Sequence, residues 1–279
     1  MLTATFACAR GMNEELERQL WQHGILNWEL ARAHLDEVAA VLGPARAQRL
    51  TAWIGEAERA RQRCDRAWFR LAFASHPWRL WRGYCAPERI ALLDIETTGL
   101  TPGFDQVTVI GLADSRRARA FVAGQPQGDD LPLAQFPAAI RDYDLLVTFN
   151  GESFDLPFLT RAFRDHGGLH LDQPHLDLLP LARQVGLSGG LKEIEAQLGI
   201  ARASSIAGLR GGEAIALWAA WRQGDAAAYR RLVQYCLADC SNLALVAERL
   251  YRRCWTASFE AFARPVDFAL TKGQQQSLF

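Results

Sequence analysis

A chain of 279 residues with 49% hydrophobic content is long enough for a substantial core and too apolar for a disordered chain. Its 31 basic residues balance 31 acidic ones, which excludes a globally positive nucleic-acid binder and leaves any basic surface local. No stretch reaches the roughly 18 uninterrupted apolar residues of a spanning helix, and the start lacks a basic segment followed by an apolar core, so a cytoplasmic protein with no membrane partner is expected. From Asn13 to about Ala74, Leu16, Leu20, Ile25, Leu30, Leu35, Val38 and Val41 recur at helical spacing and predict a helical N-terminal region. Within it Gly24 ends one helix and Asn27 caps the next, a turn that serves packing or cradles a phosphate. Beyond Pro87 the period changes, and IALLDIETTGL, QVTVIGLAD and ARAFVAG predict three consecutive strands. A loop over GQPQGDD, a helix over LAQFPAAIRDY and a buried strand over DLLVTFNG follow. Helical spacing then governs GLKEIEAQLG, GEAIALWAAWRQG and the long run from Asp225 to Trp255. Strands first and helices around them predict an α/β domain with a mixed central sheet.

Three segments carry carboxylates in noteworthy positions. Asp94 and Glu96 interrupt an apolar strand, and an unpartnered buried carboxylate costs several kcal/mol. Two residues apart on a strand, they share a face and can converge on one cation. A salt bridge to an arginine satisfies that burial equally well. In TFNGESFDLPFL, Asp155 falls near the start of a helix expected to begin near Ser153, where its charge also suits the helix dipole. In YCLADC, Tyr235 and Asp239 are four apart and occupy one helical face. Six cysteines are too sparse for a disulfide framework, and Cys236 and Cys240 read as small buried apolar residues or as half a metal site. Asp177, in HLDLLPL, is a helix cap or a support for the acidic group.

Together these segments resemble the motifs of the DEDD exonuclease superfamily, with its ribonuclease H-like fold, in the right chain order. LLDIETTGL is similar to the first motif, FNGESFDLPFL to the second and YCLAD to the tyrosine form of the third. The flanking HLDLLPLAR, GLKEIEAQLGI and WRQGD look most like the bacterial YprB-like branch, whose members often carry asparagine where Cys236 stands. The resemblance covers about Pro87 to Arg252. It implies a ribonuclease H-like mixed central sheet flanked by helices at 85–256, after a helical region at 1–84 and before a tail at 257–279. It further implies Asp94, Glu96, Asp155 and Asp239 as ligands of two Mg2+ or Mn2+ ions, with Tyr235 orienting the attacking water. Thr97, Thr98, Gly99 and Leu100 would meet a terminal nucleotide, as would Asn150 and Phe154, although Phe154 also suits a core. Lys192 is a phosphate contact or a solvated surface lysine.

The expected activity is 3'-to-5' hydrolysis of DNA in repair or replication, with RNA and internal cleavage left open. The contrasting reading is a non-catalytic scaffold that binds nucleic acid or a clamp. In the tail, Gln275 followed by Leu278 and Phe279 resembles the short motif with which bacterial replication and repair enzymes dock into the sliding clamp. A terminus that folds back or frays is the alternative.

Overall fold

Asparagine side chains open the first two helices of the computed structural model, which describes residues 2–164, 168–202 and 211–260. Asn13 accepts from the Leu16 N–H and Asn27 from the Leu30 N–H, each at 2.9 Å, so α1 (Glu14–Gln22) and α2 (Trp28–Ala33) start with donors satisfied. Gly24, at φ 82°, makes the turn between them in a conformation that an L side chain rarely adopts. The helices α3 (Leu35–Leu42), α4 (Pro44–Gln62) and α5 (Arg66–Ala72) follow. Leu20, Ile25 and Val38 are buried as their spacing predicts, but Leu35 is 47% exposed. The chain breaks at His34 between α2 and α3, which resets the helical phase that placed Leu35 inside.

These helices belong to one of two compact units, which among the described residues comprises 2–86, Asp172–Pro174 and 250–260. Its core contains an ion pair that no periodicity announces. Arg79 bonds both carboxylate oxygens of Glu17, at 2.7 and 2.9 Å, and also the Thr5 hydroxyl. Glu17 in turn accepts from the Phe6 and Ala7 N–H groups, at 2.5 and 2.9 Å. The carboxylate is thus satisfied on every side, as burial requires.

The second unit, Pro87–Leu171 with His175–Arg249, is built on a six-stranded mixed sheet. Its strands are β1 (Ile90–Thr97), β2 (Val107–Ala113), β3 (Ala118–Val122), β4 (Leu131–Pro132), β5 (Leu145–Thr148) and β6 (His175–Asp177), in the order β4-β3-β2-β1-β5-β6. The three predicted strands form an antiparallel meander, after which β5 and β6 add in parallel on the other side of β1. The parallel additions need crossovers, supplied by α6 (Phe136–Ala139) and α7 (Asp155–Ala162). Further helices are α8 (Leu178–Gln184), α9 (Leu191–Gln197), α10 (Gly211–Arg222) and α11 (Ala226–Trp255), of which the residues to Arg249 belong to this unit.

Alternation along β1 divides its side chains between two cores. Ala91, Leu93 and Ile95 join Phe136, Phe158 and Leu159 of α6 and α7. On the other side, Val109, Ala120 and Val122 pack against Ala214 of α10 and Tyr229, Leu232 and Cys236 of α11. Asp94 and Glu96 take the even-numbered positions of β1 and share that second face. Among the described residues no helix is long and apolar enough to cross a membrane. The tail residues Gln275, Leu278 and Phe279 lie outside the described residues.

Candidate active site

A glycine on β2 brings the long helix down onto the acidic face of β1. Gly111 pairs with Asp94, and a Cβ there would meet the Cys240 sulfur at 2.5 Å and the Cys236 sulfur at 2.9 Å. With no side chain at 111, α11 crosses the sheet where Asp94 and Glu96 stand. The Cys236 thiol donates to the Asp94 carbonyl at 3.6 Å, which ties helix to strand. Tyr235 and Asp239 sit on the same turn and face the strand carboxylates, whose pKa values feel the Asp239 charge.

Oxygen and sulfur atoms of Asp94, Glu96 and Cys236 lie within 4.8 Å of one another. The sulfur is a poor candidate ligand. A hard divalent cation prefers oxygen to a soft sulfur donor, and burial also pushes the Cys236 thiol well above its ordinary value. Cys236 and Cys240 are therefore packing residues whose small size lets the helix approach.

Asp155 reaches the same region from the other side of β1. The parallel ladder between β1 and β5 runs only from Ile90 to Leu92, so the later backbone donors of β1 lack a strand partner on that side. The Ile95 N–H bonds the Asp155 carboxyl instead. Helix α7 starts at Asp155, two residues after the expected Ser153, because a tight turn consumes the intervening chain. Asn150 adopts φ 64°, and a Cβ on Gly151 would fall within the Thr148 side chain.

Asp177 holds that turn in place. Its Oδ1 accepts from the Asn150 N–H at 2.7 Å and from the Leu179 N–H at 3.0 Å, while Oδ2 accepts from the Glu152 N–H at 3.1 Å. One carboxylate thus caps α8 and fastens the loop that delivers Asp155, serving both roles the sequence left open. His175 adds a second tie, 2.8 Å from the Thr148 hydroxyl and 3.4 Å from Glu152.

Burial pushes all four carboxyls up, and repulsion from the others adds to it at Asp94 and Glu96. Asp94 and Glu96 rise well above the ordinary range through burial and then the Asp239 charge. Burial raises Asp155 to about 7, against the pull of its own and the Ile95 N–H groups. Asp239 rises through burial while Arg202 and Lys192 pull it down. Lys192 donates to the Tyr235 oxygen at 2.6 Å and sits 4.3 Å from its ring centre. Burial and the Asp239 charge push the Tyr235 phenol up, so it keeps its proton and acts as a donor. Asp94 and Glu96 offer oxygen donors close together, and the Asp239 and Asp155 charges help to disfavour their ionised forms, which a hard divalent cation would stabilise.

Sequence reasoning missed two partners of this site. Arg202 bonds Asp239 and also Glu195, a residue of α9 that is 1% exposed. Glu195 accepts from the Asn242 side chain as well, at 2.9 Å. The loop after β1 presents other expected contacts. Thr97 bonds the Gly99 carbonyl, Thr98 accepts from the Gln106 N–H, and Asp105 packs under Gly99. This braced loop carries Leu100 and Phe104 at 77% and 90% exposure. Phe154 is half-buried against Phe158, with ring centres 4.9 Å apart.

An antiparallel meander extended by parallel strands, with acidic groups crowded beside its first strand, defines a ribonuclease H-like α/β domain. The chain belongs to the RNase H superfamily, since residues 91–251 match the RNase_H_2 family model. No curated protein matches the sequence. Similar solved structures include the family B DNA polymerase from the hyperthermophilic archaeon Pyrobaculum calidifontis, 19% identical over 63% of this chain, with a TM-score of 0.44. The chain spans only 25% of that polymerase. Another, described as the apo form of the nuclease, is 18% identical over 61% of this chain and 74% of its own, with a TM-score of 0.41.

Proposed function

We propose that this protein is a metal-dependent nuclease of the DEDD type, close to the YprB-like branch, which shortens DNA from its 3' end. The observation that carries the reading is the contact at Gly111, which sets Tyr235 and Asp239 of α11 over Asp94 and Glu96 of β1. Asp94, Glu96, Asp155 and Asp239 would hold two Mg2+ or Mn2+ ions. When bound, such ions supply charge stabilisation to phosphodiester hydrolysis and lower the pKa of water.

The chain's own residues do the rest. Tyr235, with its oxygen engaged by Lys192, offers its O–H to the attacking water and orients it. Lys192 stands beside that oxygen, where a phosphate would approach; burial disfavours its charged form while the Asp239 charge favours it. Leu100 stands exposed to meet a terminal base, with Thr97, Thr98 and Gly99 bracing it and Asn150 and Phe154 on the neighbouring loop. In this reading the helical region at 1–84 and the tail at 257–279 flank the catalytic domain. Gln275, Leu278 and Phe279 dock into a sliding clamp, which deletion of Leu278 and Phe279 tests by loss of affinity for the purified clamp.

The activity is tested with an end-labelled single strand in Mn2+. Stepwise 3' shortening is expected, abolished in Asp94→Ala and Asp239→Ala. Tyr235→Phe should slow hydrolysis about a hundredfold while leaving Mn2+ binding in place. Shortening that is indifferent to Asp94→Ala would sink the assignment, and RNA or internal cleavage would correct the substrate.

A further inference from the structure

The corner between α4 and α5 gathers positive charge that the fold does not neutralise. The whole chain carries 31 basic and 31 acidic residues, yet between positions 59 and 71 five arginines stand against one acid, Asp65. That acid is occupied: its carboxylate caps α5 by accepting from the Trp68 N–H at 3.0 Å, and it lies 3.7 Å from Arg63. Arg66 is paired with Asp172 at 3.4 Å. Arg59, Arg61 and Arg70 are exposed and form no ion pair among the described residues. Helix electrostatics account for only part of this arrangement. The last turn of a helix favours cations, which suits Arg59, Arg61 and Arg70, but Arg63 and Arg66 flank the first turn of α5, which disfavours them. Arg59 and Arg63 are four residues apart, as are Arg66 and Arg70, and like charges at that spacing repel along one face.

The turn that brings the two rows together is tightly bonded. The Arg63, Cys64 and Asp65 N–H groups donate back to the Arg59, Arg61 and Ala60 carbonyls, at 3.1, 3.2 and 2.9 Å, with Cys64 at φ 52°. Half-buried Trp68 of α5 meets Trp53 of α4, ring centres 5.7 Å apart. Beside the arginines, Leu71 is 74% exposed. Repelling cations held on a fixed turn are relieved by a polyanion, and forked guanidinium donors match phosphate oxygens.

We propose that the α4–α5 corner, through Arg59, Arg63 and Arg70, binds the phosphate backbone of a nucleic-acid strand, so that the helical unit takes a share in holding the substrate. The choice of nucleic acid as the occupant rests on the nuclease reading, but the binding is measured without hydrolysis. Phosphate contacts of this kind carry no sequence preference and weaken steeply with salt.

The test is fluorescence anisotropy of a labelled single-stranded oligonucleotide with the full chain in EDTA, across a salt series. The variant combining Arg59→Gln, Arg63→Gln and Arg70→Gln should lower the slope of log affinity against log salt by about 2, at roughly 0.7 per lost contact, and weaken binding about a hundredfold at about 0.1 M salt. Lysine at the same three positions keeps the charge and should keep the slope. A control combining Arg10→Gln, Arg18→Gln and Arg32→Gln removes equal charge from exposed positions of the same unit and should also leave the slope unchanged. Circular dichroism checks that each variant folds, and the lysine variant carries the test by its retained slope if the glutamine one does not. An equal loss in the site and control variants would overturn the proposal in favour of diffuse charge. Unchanged DNA binding with lost binding of poly-glutamate would overturn it in favour of an acidic protein partner. A wild type that shortens 3' ends while its DNA affinity ignores the site substitutions would sink this proposal and leave the nuclease reading standing. Binding that responds as expected, without any shortening in Mn2+, would do the reverse.

Discussion

Replacing Asp177 removes the clasp between two loops of the site, and with it a negative charge that raises Asp155, while all four carboxyls stay in the chain. In Asp177→Ala three backbone donors lose their acceptor: Asn150 and Leu179, both partly buried, and Glu152, which is exposed. A bond to a charged acceptor contributes about 1.5 to 3 kcal/mol, the exposed one much less, and the cap of α8 alone about 1 kcal/mol. The expected loss is about 2 to 4 kcal/mol, read from urea denaturation. Asp177→Asn keeps the shared oxygen for Asn150 and Leu179 and should lose about 1 kcal/mol, since only the Glu152 bond is replaced by a facing amide. Function should suffer beyond stability. Asn150 sits at φ 64° in a turn that sets the approach of Asp155 to the Ile95 N–H, so a freed loop displaces one of the four carboxyls. Mn2+ affinity of folded Asp177→Ala should fall, and that of Asp177→Asn should fall less. A stability within about 0.5 kcal/mol of wild type, the range of an ordinary surface change, refutes the clasp.

The other predictions address packing, protonation and the helical unit. Gly111→Ala places a methyl 2.5 Å from the Cys240 sulfur and should cost about 1 to 3 kcal/mol, part of which Cys240→Ala restores in the double variant; additive effects in that cycle would refute the close approach of α11 to β2. Because Asp155 titrates at about 7 in the folded chain against an ordinary 3.8, the native state binds more protons than the unfolded one across that window. Metal-free stability should therefore fall as pH rises from about 4 to 7, by up to about 1.4 kcal/mol per unit for each such carboxyl, and saturating Mg2+ should flatten or reverse the trend. A metal-free protein that gains stability between pH 5 and 7 contradicts it. Glu17→Ala strands the Arg79 guanidinium in the core and should destabilise the helical unit by about 3 to 5 kcal/mol, seen as faster proteolysis within residues 2–86; unchanged resistance would refute the buried pair.

Much of the fold is legible because its period is legible. The runs around Leu93, Ile110 and Phe121 alternate or stay apolar over five to eight residues, long enough to mark strands and to set which face each residue takes. Strand β6 spans only His175–Asp177, too short for any period, and its pairing with β5 is a tertiary fact. The same shortness hid the reach of Asp177, whose partners Asn150 and Glu152 lie 27 and 25 residues away. Leu35 failed for the opposite reason, since a continuous helical phase was carried across His34, where the chain breaks.

The site divides along the same line. Asp94 and Glu96 announce themselves because a charge inside an apolar strand is locally improbable and demands a partner. Glu195 meets the same criterion once helical phase is applied to α9. It stands four residues after Leu191 and three before Leu198, so it shares a stripe with leucines and adjoins the buried Ile194. A charge in that stripe calls for a buried cation as firmly as Asp94 does. In a segment that also carries Lys192 and Glu193, however, the charges read as a solvated face. What phase cannot supply is the identity of the partner. Arg202 reaches Glu195 from seven residues downstream and Asp239 from 37 residues upstream, and only the meeting of α9 with α11 makes those two carboxylates neighbours of one guanidinium. Buried charges at helical or strand phase thus reveal that a partner exists, while the fold decides which group fills the place.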